Sequence, residues 1–249
     1  MDKTDLNSLN GYEMLTPLHY AAKNNQVPAI QALLKNKDVD INAKDIQQRT
    51  PLYLACKYNC FKAVKCLVEN GADVNIIPDN MISLIILSII NKNFEVFEYL
   101  INISNINKFV INPNGWNPIH YASQLGQANI LESFYEINKD MFKMKDNYGR
   151  TPLHIAAQWN QIDSVIFYHE KGIDIFEEKD NDGNTPLHLA VKWGNAEIFE
   201  YIQEYTNMNL NIQNKKVILI NLAFIFYFSN SPPYCNRNLV TSIDIRSCF

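Results

Sequence analysis

The side chains with the most chemical potential in this 249-residue chain are its histidines and cysteines. Four of the five histidines, His19, His120, His154 and His188, stand at one recurring place, three residues after a Thr or Asn and two after a Pro. A row of imidazoles could ligate a metal. Zinc, however, holds its ligand nitrogens at about 2 Å, whereas neighbouring helical units pack about 10 Å apart. One histidine per unit therefore cannot converge on an ion, and the expected role is structural. Cys56, Cys60 and Cys66 fall within eleven residues but lack a C-x-x-C pair and a fourth ligand. They are expected as free thiols, buried or half-buried. The chain shows no Ser-His-Asp order, glycine-rich phosphate loop or kinase signature. The expectation is no catalytic residue, no metal and no cofactor.

The elements that position these histidines repeat. Thr16-Pro17-Leu18-His19, Thr151-Pro152-Leu153-His154 and Thr185-Pro186-Leu187-His188 are joined by Thr50-Pro51-Leu52-Tyr53 and Asn117-Pro118-Ile119-His120. A degraded copy begins at Ser83-Leu84-Ile85-Ile86, and the heads then follow one another every 33 or 34 residues. Such a period marks an architecture of stacked units. Each head is a helix start: Thr can cap the first turn, and Pro loses nothing at the first helical position, where its fixed φ already fits. Nine residues after the head stand Asn25, Asn59, Gly126, Asn160 and Gly194, which tolerate the left-handed conformation that ends a helix.

A second helix follows in each unit. Ala29, Ile30, Leu33 and Leu34 in the first unit, Ala63, Val64, Leu67 and Val68 in the second, and Ile130, Leu131, Phe134 and Tyr135 in the fourth give one apolar face. Linking stretches such as Asp146-Asn147-Tyr148-Gly149 and Asp180-Asn181-Asp182-Gly183 carry the tight-turn pattern of an Asx residue with Gly at the fourth place. Each unit reads as turn, helix, turn, helix.

Thr-Pro-Leu-His-x-Ala, with Glu69-Asn70-Gly71-Ala72-Asp73-Val74-Asn75 closing the second unit, resembles the ankyrin repeat. The fold class implied is all-α, an ankyrin-repeat solenoid of helix-turn-helix units with hairpin-like connecting loops. Six repeats are expected at 11–44, 45–78, 79–111, 112–145, 146–179 and 180–213, after a lead-in over 1–10. The resemblance also implies that the histidines bridge helix starts by hydrogen bonds. The third repeat departs from the pattern. Its head lacks Pro and His, and Ile85, Ile86, Ile89 and Ile90 make its first helix apolar nearly all round. It is either a buried central unit or a place where another segment docks.

The same resemblance directs two sets of positions to a binding face. One is the end of each first helix: Lys57 with Tyr58, Gln124, Gln158 with Trp159, and Lys192 with Trp193. Tyr and Trp beside Lys or Gln make rigid amphipathic anchors of the kind that dominate interfaces. The competing reading is that both Trp rings pack under an adjacent hairpin. The second set lies at the hairpin tips: Gln47, Gln48, Arg49, Asn114, Trp116, Tyr148, Arg150, Asp182 and Asn184.

A net charge of −4 leaves no basic footprint for nucleic acid. No apolar run reaches the roughly 18 residues that span a bilayer. The polar start and the five cysteines without paired spacing point to a reduced compartment, cytoplasmic or nuclear, and not to secretion. After Asn214 the period breaks, and residues 217–228 form a largely apolar run within an atypical tail, 215–249. Three readings stand for it: a terminal cap, a peripheral membrane contact, or non-native sequence truncating a seventh repeat. The expected function is a monomeric, non-catalytic scaffold that binds an unidentified protein or peptide. The alternative is the regulatory ankyrin region of a larger kinase, channel or acyltransferase.

Overall fold

The computed structural model describes residues 7, 9, 11–79, 81–173, 175–205 and 214. The apolar tail, 215–249, and its Val217–Phe228 run lie outside the described residues, so none of its three readings is addressed. The chain divides after Pro113 into two compact units.

Unit 1 holds three helix pairs: α1 (Pro17–Lys23) with α2 (Val27–Leu34), α3 (Pro51–Lys57) with α4 (Phe61–Glu69), and α5 (Leu84–Ile90) with α6 (Phe94–Ile101). First helices stack on first helices, α1 on α3 and α3 on α5, and second helices on second helices, α2 on α4 and α4 on α6. Unit 2 repeats the scheme with α7 (Pro118–Gln124), α8 (Ala128–Ile137), α9 (Pro152–Gln158), α10 (Ile162–Glu170), α11 (Pro186–Lys192) and α12 (Ala196–Tyr205). A short 3-10 turn, Lys139–Lys143, follows α8.

The heads cap as their chemistry requires. Thr16, Thr50, Ser83, Asn117 and Thr185 each accept from the backbone N–H three residues on. The left-handed stops also stand where expected, at Asn25 (φ 55°), Asn59 (57°), Gly126 (69°), Asn160 (54°) and Gly194 (74°). The degraded third repeat keeps this geometry with Lys92 at φ 53°. A lysine is held there in a conformation that disfavours Cβ-bearing side chains. Nearly all of α5 is core, since Leu84 through Ile89 are buried and only Ile90 is exposed. In unit 1 the connecting loops are laced by asparagines: Asn42 Oδ1 accepts from Asp73 N–H at 2.9 Å, and Asn75 Oδ1 accepts from Asn107 N–H at 2.8 Å.

Candidate functional site

The histidines brace one repeat to the next. His19 Nδ1 accepts from Thr16 N–H at 3.2 Å and lies 2.8 Å from the Thr16 hydroxyl, while Nε2 faces the Arg49 carbonyl at 2.9 Å. An Nδ1 that accepts from an N–H leaves the proton on Nε2, which donates to that carbonyl. His154 repeats this with Thr151 and the Asn184 carbonyl, at 3.1 and 2.9 Å. His120 does so with Asn117 and the Arg150 carbonyl, at 3.3 and 3.3 Å. Burial holds the neutral form: His120 and His154 are each pushed down to about 4, and His19 is lowered from the same cause. Among the described residues no group of three or more His, Cys, Asp or Glu could hold a metal. Cys56, Cys60 and Cys66 are free and buried, and burial drives the Cys56 thiol well above its ordinary range. Such a thiol is a poor nucleophile.

The residue immediately before each head forms a second structural column. Arg49 is buried, its Nε donating to Asp45 Oδ2 at 2.6 Å and its Nη2 reaching Glu13 at 3.1 Å. Arg150 is partly exposed and pairs with Asp146 in the same way, Nε to Oδ2 at 2.9 Å. Trp116 donates its indole N–H to Asp146 at 3.0 Å, and Asn184, also buried, donates to both Asp180 oxygens. Each Asp also organises its own turn: Asp45 accepts from the N–H groups of Gln47 and Arg49, and Asp146 from those of Tyr148 and Arg150. Burial by itself raises the Asp146 pKa, but bonds from Arg150 outweigh it and hold the carboxylate below its ordinary range. These aspartates were legible as turn formers. Their grip on the residue four places on was not. Gln48 takes φ 61° at the turn position that Gly149 and Gly183 occupy elsewhere, so its backbone, too, serves the turn.

The remaining candidates lie at the surface. In unit 1 Lys57 is exposed, and the Tyr58 ring receives Lys23 and Lys57 ammonium groups at 4.9 and 5.9 Å from its centroid. In unit 2 Trp159 is 52% and Trp193 57% exposed, at equivalent positions closing α9 and α11, which pack together. Neither ring is covered as packing under a hairpin would require. Tyr148 is 62% exposed, with the Arg150 guanidinium 5.0 Å from its centroid. Arg150 Nη1 also donates to Gln158 Oε1 at 3.1 Å, so tip and helix end are joined. Gln124 is half-buried, while Asn114, Gln47, Asp182 and Lys192 are exposed.

Stacked two-helix units with capped Thr-Pro heads, histidine braces and Asx-turn tips define an ankyrin-type repeat protein, an architecture of protein–protein interaction. Family models described as ankyrin repeats match residues 2–77, 84–178 and 144–214, and a second such model matches 54–101. The chain belongs to the ankyrin repeat family. It is 40% identical over 80 residues to a putative ankyrin repeat protein of fowlpox virus, covering 32% of this chain and 12% of the relative. Another putative ankyrin repeat protein, from Acanthamoeba polyphaga mimivirus, is 40% identical over 86 residues, 32% of this chain and 8% of the relative. A palmitoyltransferase of Lachancea kluyveri is 29% identical over 143 residues, 56% of this chain and 19% of the enzyme. The matched stretches thus span a fifth or less of these proteins. A chain in the complex of a Bdellovibrio bacteriovorus predatory endopeptidase with its immunity protein shares the fold, with TM-score 0.67 and 22% identity over 76% of this chain and 97% of that one. Ankyrin repeat proteins are generally non-catalytic. No described helix is long and apolar enough to cross a membrane.

Proposed function

We propose that this protein is a non-catalytic, monomeric scaffold that binds a partner protein through unit 2, with Trp159 and Trp193 as anchors. Tyr148, Gln158 and Lys192 form the polar margin, and Asn114 and Gln124 extend it. Lys57 and Tyr58 form a separate, smaller contact patch on unit 1. The observation that carries this reading is the exposure of two tryptophans at equivalent places on adjacent packed helices. Burying an indole against a partner removes a large apolar area from water, and buried aromatic anchors typically contribute about 2 kcal/mol or more to binding. Arg49, Asn184, Trp116 and Gln48 stand outside the binding face, because their bonds or backbone hold the fold. The net charge of −4 favours protein over nucleic acid as the partner, and the cysteine usage favours the cytoplasm or nucleus.

The test is a photo-crosslinking residue placed at 159 or 193 in the full chain, with exposed Glu170 on α10 as the control site. Crosslinks to one partner from 159 and 193 but not from 170 support the reading. Partner capture that the Trp159→Ala/Trp193→Ala double variant leaves unchanged overturns it. A regulatory role within a larger protein is second. Supporting it is the match to only 19% of a palmitoyltransferase and 12% of a Drosophila melanogaster transient receptor potential cation channel.

A further inference from the structure

Unit 2 shows how this chain holds an ammonium group against aromatic rings. Tyr135 on α8 and Phe167 on α10 meet at 88°, their centroids 6.1 Å apart. The Lys171 ammonium stands 5.3 Å from the Tyr135 centroid and 5.9 Å from that of Phe167, and it pairs with Glu132. Ring faces carry negative potential, so they attract an ammonium that keeps its carboxylate partner. Two rings at right angles and a glutamate thus make a seat for a lysine head.

Unit 1 assembles the same groups from other positions. Between α4 and α6 lies an open groove of about 420 Å³ lined by Phe61, Glu95, Glu98, Tyr99, Asn102 and Ile103. Phe61 and Tyr99 meet at 87°, with centroids 5.8 Å apart. Both rings are half-buried, while Glu95 and Glu98 are exposed. The glutamates and Tyr99 share one face of α6, standing three and four places apart. Counted from the heads Ser83 and Thr151, Tyr99 occupies the place of Phe167, and Ile103 the place of Lys171. The lysine that fills the seat in unit 2 is therefore an apolar side chain in unit 1. Among the described residues no Lys or Arg stands over the Phe61 or Tyr99 ring, and neither glutamate is in an ion pair. Lys65 on α4 pairs with Glu69 instead, at 3.9 Å.

We infer that this groove seats a lysine side chain of a partner protein, its ammonium against the Phe61 and Tyr99 rings and held by the Glu95 and Glu98 carboxylates. Charge complementarity selects this occupant. Two carboxylates without a cation attract one, and the rings reward it, whereas an acidic head is repelled and a neutral one gains neither interaction. Ile103 offers apolar surface to the aliphatic stem. The seat lies in unit 1 and the tryptophan anchors in unit 2, so either reading can fail without the other.

The test titrates the full chain with the blocked tripeptide acetyl-Gly-Lys-Gly-amide and with its norleucine counterpart, which keeps the stem and lacks the charge. Amide shifts are followed by NMR. The lysine probe shifts residues 61 and 95–103, and the norleucine probe does not. Glu95→Gln/Glu98→Gln weakens binding about fivefold, as two exposed ion pairs would, and Phe61→Leu/Tyr99→Leu weakens it about threefold or more. Glu136→Gln/Asp163→Asn, which removes two exposed acids elsewhere, leaves it unchanged. An unaltered melting temperature in the Glu95/Glu98 variant, whose sites are exposed, separates lost binding from lost fold. Absence of shifts at 95–103 overturns the inference. So does an equal response to both probes, since the groove then takes any apolar stem. Binding that survives replacement of both rings, or that falls as far in the Glu136/Asp163 variant, assigns the attraction to net charge alone and likewise overturns it.

Discussion

The two units build the same helix pairs with different polar bracing. Unit 2 carries a histidine at each of its three heads, His120, His154 and His188, whereas unit 1 carries one, His19, with Tyr53 and Ile86 in the other two places. Asparagines brace both units, Asn195 Nδ2 in unit 2 donating to the Ala157 and Gln158 carbonyls at 2.6 and 3.1 Å, and unit 1, with fewer histidines, adds a ladder of them. Asn42 and Asn75 lace its loops, and Asn91 Nδ2 donates to the Cys56 and Lys57 carbonyls at 3.2 and 3.1 Å. The helix-end position that Asn91 fills in bracing unit 1 is Trp159 and Trp193 in unit 2, where the rings face water. A repeat position can therefore be given either to holding the stack or to the surface. Unit 1 does both, Asn91 bracing the stack while Tyr58 stays exposed, and unit 2 leaves the position to exposed tryptophans because Asn195, two places after Trp193, makes the equivalent carbonyl brace.

The contrast is sharpest in acid. The unfolded histidines take up protons below about 6.5, while folded His120 and His154 resist until about 4. Their contribution is complete above 6.5 and is lost as pH falls through that window. From pH 7 to 5 each costs unit 2 about 2 kcal/mol, roughly 4 together. Amide exchange at pH 5, corrected for intrinsic rates, should show greater loss of protection in 114–205 than in 11–113. Equal loss would break the comparison.

The Arg–Asp turn differs in burial between the units, its arginine side chain being 2% exposed at Arg49 and 19% at Arg150. Arg49→Ala leaves a buried carboxylate without its cation and should cost about 3 kcal/mol, against about 1 for Arg150→Ala, measured by urea unfolding. The smallest effect is a gain. Lys92→Gly relieves the left-handed lysine of the degraded repeat and should stabilise unit 1 by about 0.5–1 kcal/mol, raising the melting temperature by a few degrees.

Much of the fold was legible because each signal is local. Thr before Pro starts a helix, Asn or Gly nine places later ends it, and the interval sets the register. The apolar first helix of repeat three resolved to core, since its six residues from Leu84 to Ile89 are all buried. The candidate site was legible only as columns. Arg49, Trp116, Arg150 and Asn184 looked like variable tips because their chemistry suits an interface.

By itself the sequence determined the repeat, the starts and stops of its first helices, its caps and the histidine places, since these follow from residues within about nine positions of one another and from their recurrence every 33 or 34 residues. Only the tertiary structure decided which varied positions are buried and which stay exposed. Arg49 is buried because Glu13, 36 residues away, and the Asp45 turn meet it, whereas Trp159 and Trp193 remain exposed at the ends of α9 and α11. Burial is fixed by what a neighbouring repeat brings to the spot, and no short window of sequence contains that neighbour.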